Sequence, residues 1–111
     1  MDNRYFNPEL ETMTRPQIEK LQLERLQATV RHCMNSPFYK KRFAENGITP
    51  ESIKSLSDLK KIPFTTKQDL RDTYPFGMAS VPLEKCVRLH SSSGTTGKPT
   101  VILHTQRDLD Q

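Results

Sequence analysis

The segment from Ser91 to Thr100 reads Ser-Ser-Ser-Gly-Thr-Thr-Gly-Lys-Pro-Thr, and every residue in it except Lys98 and Pro99 is Ser, Thr or Gly. Two short apolar segments flank it, Cys86-Val87-Arg88-Leu89 before it and Val101-Ile102-Leu103 after it. β-Branched and other apolar residues bounded by turn residues are typical of strands. The sequence therefore predicts two strands joined by a flexible, hydroxyl-rich loop that carries one lysine.

The composition of this loop suits a polyanion. Glycines let the backbone approach a ligand closely with its N–H groups pointing inward. Ser and Thr hydroxyls donate hydrogen bonds to phosphate oxygens, and a lysine adds a compact positive charge. These groups favour a nucleoside triphosphate, with a glycine-rich hairpin turn that binds nothing as the alternative. The loop is not a Walker A motif, because that motif has Gly where this chain has Ser92 and Ser or Thr where it has Pro99.

Composition narrows the classes of protein to which the chain can belong. The 111 residues suit one domain, but only 33% are hydrophobic and the mean hydropathy is −0.73, which indicates a piece of something larger. The net charge is +4, yet basic residues are mixed with acidic ones and form no stripe interleaved with aromatics. Nucleic-acid binding is therefore disfavoured. With no secretory signal and no apolar run as long as a membrane span, we expect a cytoplasmic protein without membrane contact.

The cysteines and histidines do not predict a metal site. Cys33 and Cys86 are the only cysteines, and neither lies in a cluster with histidine. We expect both to be reduced thiols that pack as small apolar groups. His90 precedes the loop, but no second catalytic group accompanies it. For His90, as for His32 and His104, we expect local packing or hydrogen bonding.

Capping signals predict a long helix near the start of the chain. Thr14 has Gln17 three residues later, which is the pattern of a capping box, and the helix should run to about Met34. Helical spacing places four apolar residues on one face, with Ile18 close to them. They are Leu23, Leu26, Val30 and Cys33.

Further helical segments should follow before the strands. Ser36 with Pro37 predicts a second helix that ends near Asn46, with Gly47 directly after it. Its packing residues should be Phe38, Tyr39 and Phe43. Short helical turns are expected from Thr49-Pro50, from Ser57-Asp58-Leu59 until Pro63 stops it, from Thr66 to about Thr73, and after Thr105.

Several motifs together resemble one enzyme family. Residues 92–99 resemble the phosphate-binding loop of the adenylate-forming enzymes, the acyl-CoA synthetase superfamily. Within that superfamily the chain is most similar to the N-terminal part of the phenylacetate-CoA ligases, including Thr100 where most members have lysine. The segments that carry this likeness are Asn35–Lys40, Leu59–Lys67, Asp69–Arg71, Tyr74–Gly77 and His90–Val101.

The resemblance implies a fold and a division of the chain. The fold implied is α/β overall, and α+β for this chain alone, with N-terminal helices followed by the first strands and phosphate loop of an adenylate-forming enzyme's N-terminal domain. Residues 1–82 would form a mainly helical region. Residues 83–111 would begin the nucleotide-binding α/β subdomain, with the phosphate loop at 91–100.

The resemblance also implies a reaction in two steps, in which an aryl acetic acid is joined to coenzyme A. ATP and the acid first give an acyl-adenylate and pyrophosphate in the presence of Mg2+, and the coenzyme A thiol then displaces AMP. The residues that would bind the β- and γ-phosphates are Ser92, Ser93, Gly94, Thr95, Thr96, Gly97 and Lys98. Lys98 would also stabilise the charge on the leaving pyrophosphate. The ribose, metal, acyl and coenzyme A sites lie outside this chain, so we expect it to be inactive alone.

Two other functions stay open at the level of sequence. The chain could be a non-catalytic helical interaction module that keeps a nucleotide-type loop and forms a homodimer through its N-terminal helices. It could also be a nucleotide-binding protein of unrelated chemistry. The identity of the aryl acid is open as well.

Overall fold

The computed structural model describes residues 3–92 and 97–111, with helices first and strands last. The α-helices are α1 (Pro8–Glu11), α2 (Arg15–Cys33), α3 (Pro37–Glu45), α4 (Lys67–Asp72) and α5 (Gln106–Asp110). Short 3-10 helices cover Pro50–Ser52, Leu56–Lys61 and Leu83–Lys85. Among the described residues, β1 (Cys86–Ser91) and β2 (Val101–Thr105) form one antiparallel sheet. The expected mixture of helix and strand is confirmed.

The two longer helices begin and end where their capping residues predict. The backbone N–H of Thr14 donates to the Gln17 side chain at 2.9 Å, which is one half of the predicted capping box at the start of α2. The backbone N–H of Tyr39 donates to the Ser36 hydroxyl at the start of α3, at 3.5 Å. Gly47 follows α3 with a φ of 66°, a conformation that glycine adopts without a steric penalty.

The shorter elements depend on carboxylates that accept backbone hydrogen bonds. The Asp69 side chain accepts from the Thr66 N–H at 2.8 Å and so starts α4 as predicted. The turn expected at Ser57 instead begins at Leu56, because the Asp58 carboxylate accepts from the backbone N–H of Ser55 at 3.0 Å.

Helix α1 was not predicted from the sequence. The side chain of Asn7 accepts a hydrogen bond from the Leu10 N–H at 3.3 Å, and the Glu11 carboxylate accepts from the Asn7 N–H at 2.6 Å. A polar segment therefore forms one helical turn from local side-chain hydrogen bonds, without burying any residue.

The apolar core lies entirely in the helical part of the described chain. Its buried members are Val30, Phe43, Ile48 and Ile53. Leu23, Leu26 and Cys33 pack against them, which confirms the predicted apolar face of α2. Tyr39 also packs against this core, so two of the three aromatic residues expected to pack α3 contact it. The side-chain amide of Gln27 donates to the Ile53 carbonyl at 2.8 Å, which connects α2 to the residue directly after the first 3-10 helix.

Arg42 connects α3 to α4. Its Nη2 lies 3.0 Å from Asp69 Oδ1, and its Nη1 donates to the Phe64 carbonyl at 3.2 Å. The guanidinium also stacks over the Phe38 ring, 4.6 Å from its centroid. The contacts with Asp69 and Phe64 join α3 to the segment that leads towards the strands, and the contact with Phe38 lies within α3.

The hairpin of β1 and β2 adds no buried residue to this core. The radius of gyration is 16.8 Å, whereas a compact domain of about 100 residues has one near 13 Å. The chain therefore consists of a packed helical part and an open hairpin beside it.

Candidate functional site

The hairpin brings its two strand ends together directly below the hydroxyl-rich loop. Leu89 pairs with Leu103, and the last strand pair before the loop is Ser91 with Val101. The backbone N–H of Ser92 then donates to the Thr100 carbonyl at 3.0 Å, which extends the pairing by one residue. The predicted strands are confirmed, and both are longer than their apolar segments.

A side-chain network closes the base of the loop. The Ser92 hydroxyl oxygen accepts from the Thr100 backbone N–H at 3.0 Å and from the Thr100 hydroxyl at 2.9 Å. A serine hydroxyl has two acceptor positions and one donor hydrogen. Both acceptor positions of the Ser92 hydroxyl are engaged, so the group that it can still offer a ligand is its donor hydrogen. A phosphate oxygen is an acceptor and could receive that hydrogen bond.

Gly97 and Lys98 form the returning side of the loop. Gly97 has a φ of 74°, and a Cβ added there would meet no atom of residues 3–92 or 97–111 within 4 Å. Backbone conformation rather than space therefore favours glycine at this position. Lys98 is exposed, and its Nζ lies 5.8 Å from the centroid of the Tyr74 ring.

Four of the predicted phosphate-binding residues lie outside the described residues. They are Ser93, Gly94, Thr95 and Thr96. Of the predicted set, the structure describes Ser92, Gly97 and Lys98.

A cleft of about 850 Å³ separates the hairpin from the helical part. Its lining includes Thr29 and His32 of α2, Val101 and Leu103 of β2, and residues 75–76 and 78–81 of the segment between α4 and the strands. Lys98 is not among the lining residues. Ser92 and Gly97, the other described residues of the predicted phosphate-binding set, do not line it either.

Each histidine contacts a neighbouring side chain, as the sequence led us to expect. His32 Nε2 lies 2.7 Å from the Ser80 hydroxyl, across the space between α2 and the segment before β1. The rings of His90 and His104 meet edge to face, with their centroids 5.0 Å apart on the hairpin. The contacts agree with local packing or hydrogen bonding, although the buried Nδ1 of His104 has no hydrogen-bond partner among the described residues.

The thiols match their predicted state. Cys33 and Cys86 are both free, and burial raises the pKa of the Cys33 thiol. A raised pKa keeps that thiol protonated and unreactive near neutral pH.

The described part of the chain has neither a cluster of metal ligands nor a membrane-spanning helix. Across residues 3–92 and 97–111, no group of three or more His, Cys, Asp or Glu side chains could hold a metal ion. No helix in these ranges is long and apolar enough to cross a bilayer.

The contact between Lys98 and Tyr74 was not predicted from the sequence. Tyr74 lies far from Lys98 in the chain, and its segment drew attention only as part of a family likeness. No periodicity or spacing links the two residues, because the contact depends on how the segment after α4 lies beside the hairpin. The Ser80–His32 hydrogen bond is of the same kind.

Comparison with known proteins identifies relatives of the chain. A phenylacetate-coenzyme A ligase of Aromatoleum evansii is 54% identical over 102 residues, which cover 91% of this chain and 23% of that protein. A phenylacetate-coenzyme A ligase of Escherichia coli (strain K12) is 50% identical over 102 residues, with the same coverage. No family model matches the chain.

A solved structure matches the fold. The 2-hydroxyisobutyryl-CoA ligase, crystallised with 2-HIB-AMP and CoA in the thioesterification state, superposes with a TM-score of 0.84 at 32% identity. The match covers 97% of this chain and 26% of that protein. The described fold is thus that of part of a CoA ligase. The chain is homologous to the phenylacetate-coenzyme A ligases over a segment that makes up about 23% of their length.

Proposed function

We propose that this chain is the phosphate-binding N-terminal part of an ATP-dependent aryl-acid coenzyme A ligase. The observation that carries the proposal is the loop of residues 92–98, set on a closed hairpin in a chain 50–54% identical to phenylacetate-CoA ligases. In this proposal residues 1–82 form a helical support, and residues 83–111 begin the nucleotide-binding subdomain.

The loop residues would divide the work of binding the β- and γ-phosphates of ATP. The Ser92 hydroxyl donates to a phosphate oxygen while its acceptor positions hold the loop closed. Gly97 gives the backbone its turn back towards β2, and the Lys98 ammonium supplies the positive charge. Residues 93–96, which lie between Ser92 and Gly97 and are all Ser, Thr or Gly, are the remaining members of the proposed phosphate-binding set.

The chemistry that follows is nucleotidyl transfer. The carboxylate of an aryl acetic acid attacks the α-phosphorus of ATP, and the bond to the β-phosphate oxygen breaks to release pyrophosphate. The coenzyme A thiol then attacks the acyl carbon and AMP leaves. Such transfers depend on positioning and on stabilising the charge of the leaving group, which is the part this loop would play. Mg2+ enters as the counter-ion of ATP.

The proposal is tested by calorimetric titration of the 111-residue chain with Mg·ATP and with Mg·pyrophosphate. Both should bind and compete with each other. Lys98→Ala should weaken both about tenfold or more, because a hydrogen bond to a charged group contributes roughly 1.5–3 kcal/mol. Lys20→Ala removes an exposed lysine of α2 and should leave both affinities unchanged.

The opposite result favours the interaction module. A folded chain that binds neither ligand contradicts phosphate binding, and a dimer in light scattering would then support the helical interaction function. In an intact ligase that carries this segment, Lys98→Ala should slow pyrophosphate release more than it weakens binding of the aryl acid. An unchanged release rate would contradict the role of Lys98.

A further inference from the structure

We propose that Tyr74 is a positioning residue for Lys98, holding the loop lysine over its ring before a phosphate binds. This inference rests on the proposed function, because it assigns a partner to the lysine of the same loop. Lys98 Nζ lies 5.8 Å from the Tyr74 ring centroid. Cations are attracted to an aromatic face within about 6 Å of its centroid.

The backbone at Tyr74 is tied to the helical part of the chain. The Tyr74 backbone N–H donates to the Arg71 carbonyl at 3.2 Å in the last turn of α4. On either side, Thr73 donates through its hydroxyl to the Asp69 carbonyl at 2.8 Å, and Gly77 N–H donates to the Thr73 carbonyl at 2.8 Å. The ring therefore extends from a backbone anchored to α4, whereas the described residues of the hairpin that carries Lys98 include no buried residue.

The segment around Tyr74 and the start of β2 border the same cleft, an observation that does not involve the lysine side chain. Thr73, Pro75 and Phe76 line the cleft together with Val101 and Ile102 at the start of β2. The segment that carries Tyr74 and the strand that follows Lys98 thus face one another. Their proximity does not depend on where the lysine side chain lies.

A neutral ring is a suitable partner for a lysine that must later bind phosphate. An ammonium group has three N–H donors, and a ring face engages it without neutralising its charge. A carboxylate in the same place would compete with the phosphate for the positive charge. The Tyr74 ring instead restricts the positions of Lys98 and leaves donors free for phosphate oxygens, which lowers the entropic cost of binding.

A double-mutant cycle with Mg·pyrophosphate as the ligand tests this inference. Tyr74→Leu should weaken binding to the 111-residue chain about two- to fivefold, the range of a cation–π contact at an exposed site. Tyr74→Phe keeps the ring and should bind like the parent. In the Lys98→Ala background, Tyr74→Leu should cause no further loss, because the ring acts through the lysine.

The cycle separates failure of the inference from failure of the proposed function. The inference is overturned, and phosphate binding kept, if Tyr74→Leu binds as the parent does or weakens binding equally in both backgrounds. Absence of pyrophosphate binding by the folded parent overturns both. Circular dichroism checks that each variant is folded.

A second measurement addresses the contact without any ligand. Lysines labelled by 13C-dimethylation keep their charge, and the Lys98 signal is identified by its loss in Lys98→Ala. The Tyr74 ring current should shift that signal upfield in the parent and in Tyr74→Phe, but not in Tyr74→Leu. An identical Lys98 signal in all three proteins would overturn the contact itself.

Discussion

The helical part of the chain and the hairpin differ in what holds them together. All four buried apolar residues of the described chain lie between α2 and the loop before the second 3-10 helix. On the hairpin, Val87, Leu89 and Ile102 are each about half exposed. Stability therefore resides mainly in the helices, and the candidate phosphate chemistry in the hairpin. Substitutions in one region should leave the property of the other largely unchanged.

The hairpin depends on its surroundings for order. A two-stranded sheet alone is marginally stable in water. Here the hairpin's own Ser92–Thr100 network reinforces its pairing at one end, and the Thr105–Asp108 cap of α5, the helix that follows β2, reinforces it at the other. The hairpin should accordingly open at lower denaturant concentration than the helical core.

The largest expected change in stability comes from removing the aromatic side chain at the centre of the core. Phe43 is 2% exposed, so Phe43→Ala should lower the free energy of unfolding by about 3–5 kcal/mol. Urea denaturation followed by circular dichroism measures the loss. Phe64→Ala is the matched control, because Phe64 is 91% exposed and its removal should change stability by less than about 0.5 kcal/mol. Equal losses in the two variants would contradict a core centred on Phe43.

The next effect tests the segment that connects the two regions. A Cβ at Gly77 would lie 2.6 Å from Thr73 Cβ and 2.7 Å from the Thr73 carbonyl oxygen. Gly77→Ala should therefore cost about 1–3 kcal/mol, as overpacking does, measured by urea denaturation. A variant as stable as the parent would show that this segment moves freely relative to α4.

Most of the helices could be predicted from the sequence because their capping residues lie within a few positions of one another. The pairs Thr66 with Asp69 and Thr105 with Asp108 specify helix starts through contacts three residues apart. The start of the 3-10 helix at Leu56 was misplaced by one residue, since Asp58 reaches back to Ser55 and Lys54. Helix α1 was missed because it has no apolar periodicity.

The candidate site was predictable in composition but not in its surroundings. The loop motif and its lysine are contiguous in sequence, so Ser92, Gly97 and Lys98 could be named from it. Tyr74 could not be connected to Lys98, because a long-range contact requires knowing how α4 lies beside the hairpin. The reading of 91–100 as a phosphate loop stays a prediction until a ligand is tested.

Each region has one glycine with a positive φ among the described residues. Gly47 after α3 has a φ of 66° and Gly97 in the loop has a φ of 74°, and an added Cβ at either would meet no described atom within 4 Å. Each substitution by Ala should therefore cost about 1–2 kcal/mol of local strain. Gly47→Ala should lower the denaturation midpoint of the helical core. Gly97→Ala should leave that midpoint unchanged and speed amide hydrogen exchange in β1 and β2.

These two variants also test whether the regions unfold separately. A drop in the core midpoint with Gly97→Ala, equal to that with Gly47→Ala, would mean that the hairpin and helices unfold as one unit. The comparison between them would then hold for packing but not for stability.

The smallest effect concerns acid stability of the helical part. The pKa of Asp58 is lowered from its ordinary value of 3.8 to about 2, first by the Lys61 ammonium at 2.9 Å and then by the backbone N–H groups of Lys54 and Ser55. In the window between about pH 4 and pH 2 the unfolded chain binds the proton that the folded chain does not. The free energy of unfolding should therefore fall as the pH falls through this window.

Asp58→Asn should remove that part of the pH dependence and flatten the decline between pH 4 and pH 2, measured by urea denaturation at each pH. Asp108 is the matched control, because its pKa is also lowered, first by the backbone N–H of Thr105, but it caps α5 beside the hairpin. If the regions differ as their packing indicates, Asp108→Asn leaves the acid slope of the core transition unchanged. The same flattening in both variants would mean that the cap at the hairpin's end contributes to the stability of the core. The helical part and the hairpin would then not be independent in stability.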